Sequence, residues 1–139
     1  MDPPGSAVDD DLVSMPEPAT FIQQWLDGWN AHDVEAVLAH FADDVVFTSP
    51  VAARVLQDSG GVVRGKDALR AYWTLALQRV PDLHFELVGT YVGVSAIVIN
   101  YRNQVGGLVN EVLFFRDDLV REGHGTYLGA GPNPAGISG

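Results

Sequence analysis

Cysteine is absent from the 139-residue chain. That excludes disulfides, thiol nucleophiles and thiolate metal sites, and it fits a reducing compartment. Basic residues are scarce: 8 Lys+Arg stand against 18 Asp+Glu, a formal net charge of −10. Such a charge repels a phosphate backbone, so nucleic acid is not an expected partner. No apolar run is long enough to span a membrane, and the opening MDPPGSAVDDDLV is acidic where a secretory signal is basic. A cytoplasmic protein without membrane contact is the expectation. No glycine-rich phosphate loop is present, because Gly60-Gly61 and Gly106-Gly107 lack a strand-loop-helix context. No spacing of His and acids matches a metal motif, so neither a metal nor another cofactor is expected.

What remains is a chain with 47% hydrophobic and 19% charged residues, the composition of one globular domain. Residues 1–17 mix Pro, Gly, Ser and Asp and read as a flexible acidic arm; 129–139, GAGPNPAGISG, read as a flexible tail. The domain is expected over 18–128. Phe21, Ile22, Trp25, Leu26 and Trp29 recur at helical spacing, which predicts a helix over Pro18–Ala31. Asp33 is placed to cap a second short helix with Val34, Val37, Leu38 and Phe41 as its buried stripe. Val45 to Thr48 reads as a first strand ending at Pro50, and Ala53 to Leu56 as a short second one. A third helix is predicted from Lys66 to about Arg79, carrying Leu69, Tyr72, Trp73, Ala76 and Leu77. Four β-rich runs follow, at 83–92, 96–104, 108–116 and 119–128. Helices first and a meander of strands after is an α+β pattern, with N-terminal helices packed on a curved, mainly antiparallel sheet.

The last two runs carry the chemistry. If Asp117-Asp118 is the whole loop, Arg116 pairs with Leu119, and counting back puts Phe114 opposite Arg121 and Val112 opposite Gly123. Glu111 then lies directly opposite His124. On that register Glu111, Leu113 and Phe115 share a face with Val120, Glu122 and His124. A carboxylate and an imidazole at cross-strand distance on an apolar face are what a small-molecule pocket requires. An imidazole exchanges protons near neutral pH, and a facing carboxylate fixes one ring nitrogen as a donor. The structural alternative is an interior hydrogen-bonded pair that only orders the sheet.

The words WLDGWNAHDVEAVLAHFADDVVFTSP, VRGKDALRAYW, PDLHFEL and EVLFFRDDLVREGHGTY, in that order, resemble the nuclear transport factor 2-like superfamily and, within it, the SnoaL-like proteins. The resemblance implies a cone-shaped α+β barrel with a pocket between the sheet and the first and third helices. It also implies a homodimer through the sheet and a small apolar molecule as partner. Ketosteroid isomerases of this fold place an aspartate base where this chain has Ser49 and a tyrosine where it has Trp25. Their protonated acid matches Glu111. Epoxide hydrolases of this fold use an Asp-Arg-Asp set that matches Tyr101, Asn103 and His124, so neither chemistry carries over whole. SnoaL-like cyclases place an acid/base residue nearest His124.

Two registers remain open at Gly106-Gly107. A two-residue turn places Arg102 opposite Glu111, and a three-residue turn with a bulge places Tyr101 there; the resemblance favours Tyr101. The expected site is thus His124 as acid/base and Glu111 as its partner. Tyr101, Asn103, Trp25, Trp29, Tyr72, Phe115 and Glu122 are expected to line the substrate. Expected functions are cofactor-independent acid–base chemistry (an isomerase, cyclase or hydrolase) on a small carbonyl compound, or non-catalytic ligand binding. A dimerisation module, its pocket collapsed by Trp25, Trp29, Phe115 and Tyr127, is the third possibility. His32, His40, His84 and Glu86 receive no role.

Overall fold

The computed structural model of the protein describes residues 14–129 and 134–137. Helix α1 spans Pro18–Asn30 and begins where the Glu17 carboxylate accepts the Ala19 and Thr20 amides at 2.8 and 3.2 Å. Its buried stripe is Phe21, Ile22, Trp25, Gly28 and Trp29. Gly28 is required by packing, since a Cβ there would sit 2.8 Å from Val37 Cγ2. The short helix α2, Val34–Leu38, is capped by Asp33, whose carboxylate accepts from the Ala36 amide at 3.1 Å. Of the two caps, Asp33 is the one the sequence leads one to expect.

Strand β1 runs over Phe41–Thr48, so Phe41 enters the core from a strand rather than from the second helix. Asp43 and Asp44 are exposed within β1, where pairing with the neighbouring strand is irregular between Phe41 and Val46. Ala53–Leu56 is not a strand. Pro50–Val55 forms helix α3, started by the Ser49 hydroxyl accepting the Val51 amide at 3.1 Å, with Pro50 in the first turn. Strand β2 is Val62–Arg64 and helix α4 is Lys66–Arg79. The meander follows as β3 Glu86–Val92, β4 Ala96–Arg102, β5 Leu108–Arg116 and β6 Leu119–Tyr127.

The six strands make one mixed, mostly antiparallel sheet in the order β2-β1-β6-β5-β4-β3. Only the β1–β6 pairing is parallel. The sheet is not closed: β2 and β3 are its edges, and the barrel implied by the resemblance is an open sheet covered by helices. Edge strand β3 exposes Leu87, Val88, Tyr91 and Val92. Among the described residues no helix is long and apolar enough to cross a membrane.

Residues 14–17, expected within the arm, are held against the β5–β6 turn. The Ser14 hydroxyl donates to Asp118 Oδ1 at 2.6 Å, and the Asp118 amide donates to the Ser14 carbonyl at 3.1 Å. Residues 1–13 of that arm, and 130–133, 138 and 139 of the expected tail, lie outside the described residues.

The helical layer is tied to the sheet entry by one side chain. Asn30 Nδ2 donates to the Phe85 carbonyl at 3.0 Å, and the Phe85 amide donates to Asn30 Oδ1 at 2.8 Å. Asn30→Ala leaves both Phe85 backbone groups without that partner, so a loss of about 2 kcal/mol is expected in urea unfolding. A loss under about 0.5 kcal/mol would show that water replaces the amide.

Candidate functional site

The β5–β6 turn forms as its sequence requires. Asp117 and Asp118 both adopt positive φ, 54° and 64°, and Arg116 pairs with Leu119. One pair later the register slips. Phe115 pairs with Val120, but Phe114 pairs with Glu122, leaving Arg121 as the extra residue of a bulge. Val112 therefore faces His124, and Glu111 faces Gly125.

A one-residue slip reverses every side chain beyond it. Val120, Gly123 and Gly125 point inward, and Glu122 and His124 point outward, away from Glu111. The expected Glu111–His124 pair is thus corrected: the two residues stand on opposite faces of the sheet. The inward side favours this register because it has no room at 123. A Cβ there would lie 3.0 Å from Phe47 Cδ1 and 3.1 Å from Leu113 Cδ2. The signal was the alternation Gly123-His124-Gly125, two residues without side chains flanking a polar one.

On the outer face His124 has its own partners. Its Nε2–H donates to Glu122 Oε2 at 2.6 Å, because a carboxylate only accepts, and its Nδ1 is hydrogen-bonded to the Thr48 hydroxyl at 2.6 Å. Arg121 extends towards Glu122 at 3.5 Å and lies 6.0 Å above the Phe114 ring.

Glu111 occupies the inner face, 6% exposed. Neither Arg102 nor Tyr101 stands directly opposite it: the β4–β5 register pairs Ile99 with Glu111 and Tyr101 with Val109. Tyr101 nevertheless reaches it diagonally, its hydroxyl donating to Glu111 Oε1 at 3.2 Å. Burial raises the carboxyl to about 7, partly opposed by that hydrogen bond. Burial first, and then the Glu111 charge, also pushes the Tyr101 hydroxyl well up.

These groups surround a cavity of about 70 Å³. Trp25 and Trp29 of α1 and Tyr72 and Trp73 of α4 form one wall; Phe47, Tyr101 and Glu111 of the sheet form another. Six of the expected residues, Trp25, Trp29, Tyr72, Tyr101, Asn103 and Glu111, thus line it together. Phe115 does not. It is fully buried against Phe21, ring centroids 5.0 Å apart. Glu122 is excluded by the bulge, as His124 is.

Sequence reasoning missed Ser49, Phe85 and Ile137 as lining residues, and placed Tyr127 only as a ring that would collapse the pocket. The Ser49 side chain hydrogen-bonds to the Tyr72 and Tyr127 hydroxyls, both of which burial holds above the ordinary tyrosine range. Gly125 faces Glu111 without a side chain, which leaves space beside the carboxyl. The Trp25 indole nitrogen is buried and has no hydrogen-bond partner among the described residues. Asn103 spends its amide on the backbone: its oxygen accepts from the Val105 and Gly107 amides, and its Nδ2 donates to the Pro134 carbonyl. Among the described residues no group of three or more His, Cys, Asp or Glu is arranged to hold a metal ion.

Residues 22–122 match the SnoaL-like domain family. The chain belongs to that family. No curated protein matches it. Among solved structures, a SnoaL-like protein of unknown function from Burkholderia thailandensis is 40% identical, with a TM-score of 0.75 over 80% of this chain and 93% of its own. A nuclear transport factor 2-like protein of unknown function from Cytophaga hutchinsonii is 8% identical, with a TM-score of 0.64 over 83% of this chain and 93% of its own. A candidate polyketide cyclase from Sinorhizobium meliloti is 14% identical, with a TM-score of 0.63 over 77% of this chain and 94% of its own. The last two likenesses establish the fold alone.

Proposed function

We propose that this SnoaL-like protein performs cofactor-independent acid–base chemistry on a small, largely apolar molecule bearing a carbonyl oxygen. The observation that carries the reading is Glu111, a carboxyl raised to about 7 in a cavity walled by aromatic rings. A group half-protonated near neutral pH both takes and returns protons efficiently. Ionised Glu111 takes a proton from the carbon next to the carbonyl, and the resulting acid returns it to carbon or to the enolate oxygen. The unpaired Trp25 indole N–H is a donor awaiting an acceptor, and a carbonyl oxygen is the acceptor such a ligand brings. Ser49 stands where a ketosteroid isomerase has its aspartate base, so a single carboxyl carries the proton both ways. The likeness to a candidate cyclase is compatible with this chemistry.

A second reading, non-catalytic binding, is favoured by the internal hydrogen bond that already occupies Glu111. Deuterium exchange separates the two. Enolisable ketones are incubated with the protein in heavy water near neutral pH, and loss of the α-proton signal is followed by NMR. Exchange is expected to fall by roughly 10²-fold or more in Glu111→Gln, the usual worth of a positioned acid–base group. His124→Ala, altered on the outer face, is expected to keep it within about threefold, under 1 kcal/mol of barrier. Ligands that bind without exchange above the buffer rate would leave only the binding role.

A further inference from the structure

The C-terminal residues 134–137 have no place in the sheet or the helices, yet Ala135 and Ile137 line the cavity and Ile137 is 4% exposed. Two side chains of the β4–β5 loop hold them. Asn103 Nδ2 donates to the Pro134 carbonyl at 2.9 Å, and Gln104 Nε2 donates to the Ala135 carbonyl at 2.6 Å. The loop is set for this task, because Asn103 Oδ1 accepts from the Val105 and Gly107 amides at 3.2 and 2.9 Å. The crossing is close enough to require glycine. Gly136 has φ of +66°, and a Cβ on it would stand 2.6 Å from Val105 Cγ1.

We propose that residues 134–137 are a plug, with Ile137 occupying the space that the apolar end of a ligand takes when the plug swings out. The inference rests on the reading of the cavity as a ligand site. With the plug seated, about 70 Å³ remains, less than the roughly 150 Å³ of a cavity that admits benzene. A ring-sized carbonyl compound therefore enters only the unplugged state. The described part of the segment is held by side chains rather than by strand pairing: Ile137 and Ala135 pack on the core, and Asn103 and Gln104 hold the Pro134 and Ala135 carbonyls. Ligand specificity follows from the same arrangement. Molecules too small to displace Ile137 gain nothing from unplugging, and those that replace its contacts recover what the plug loses.

The test uses the full chain and two full-chain variants that unseat the plug without touching Glu111 or its partners. Ile137→Asp puts a carboxylate at a position only 4% exposed, and Gly136→Ala drives a Cβ onto Val105. The probe is 6-propionyl-2-(dimethylamino)naphthalene, a neutral aromatic ketone that brightens on leaving water, and near-UV circular dichroism checks that each variant is folded. Because apparent affinity scales with the open fraction, and a seated plug keeps that fraction at about a tenth or less, both variants are expected to bind the probe about tenfold tighter or more, with faster association. Binding equal to or weaker than that of the unaltered chain would overturn the plug and leave the ligand site standing. Failure of all three proteins to bind would remove the ligand site, and the plug with it.

Discussion

Glu111→Gln is expected to stabilise the protein by about 3 kcal/mol at pH 8 relative to its effect at pH 4. The sign follows from which state holds the proton. In the unfolded chain the carboxyl has its ordinary value of 4.5; in the folded protein burial raises it to about 7. Below the lower value both states are protonated and the residue adds no pH dependence. Between the two, the unfolded chain releases a proton that the folded state keeps, so rising pH favours unfolding. Above the higher value the folded protein has had to bury a charge, and the loss is complete. Glutamine has nearly the same shape, still accepts from the Tyr101 hydroxyl, and never ionises. The measurement is urea unfolding of both proteins from pH 4 to pH 8, taking the difference at each pH so that the other acids cancel. A difference that stays flat would mean that water reaches the carboxyl and that it titrates as an exposed one. The same substitution is the one expected to lower proton exchange by roughly 10²-fold, so a gain in stability together with that loss would be the trade expected of the proposed acid–base role.

The helices were legible because their evidence is local. Phe21, Ile22, Trp25 and Trp29 at three- and four-residue spacing specify one buried stripe, and Asp33 supplies the cap of the helix that follows. The meander was legible because each strand is a run of β-formers bounded by Gly or Asp. Register was not, because it depends on what lies across the sheet. The hairpin turn at Asp117-Asp118 is as the sequence suggests, yet a bulge at Arg121 four residues from Asp117 moves His124 out of the site. Only the bulk of Phe47 and Leu113 beneath Gly123 decides that, and both belong to other strands. The same limit applies to Ser49-Pro50, an N-cap signature hidden by the β-branched and apolar residues that follow it, and to Ile137, whose polar and glycine-rich neighbours give no sign of a binding surface. Glu111, Tyr101, Trp25, Trp29 and Tyr72 were found because a buried acid and inward aromatic rings are exceptional in any register.

Trp73→Ala is expected to cost about 3–5 kcal/mol, the range for a large aromatic removed from a core. Trp73 is 3% exposed and joins the layers. It meets Trp29 of α1 at 4.9 Å, and Phe41 and Phe47 of β1 at 5.2 and 5.6 Å, all edge-to-face. Each such contact is worth about 0.5–1.5 kcal/mol beyond its buried area. Truncation to alanine removes all three at once and joins the vacated volume to the existing cavity. Collapse is resisted because α4 is also anchored by Leu69 and Tyr72, both buried. The expected result is a lower urea midpoint with an unchanged slope, and partial recovery when indole is added to fill the hole. If the loss is under about 1 kcal/mol, in the range of a surface substitution, α4 moves freely against the sheet. A cavity with a wall that yields so easily would then be shaped by its ligand rather than by Trp73.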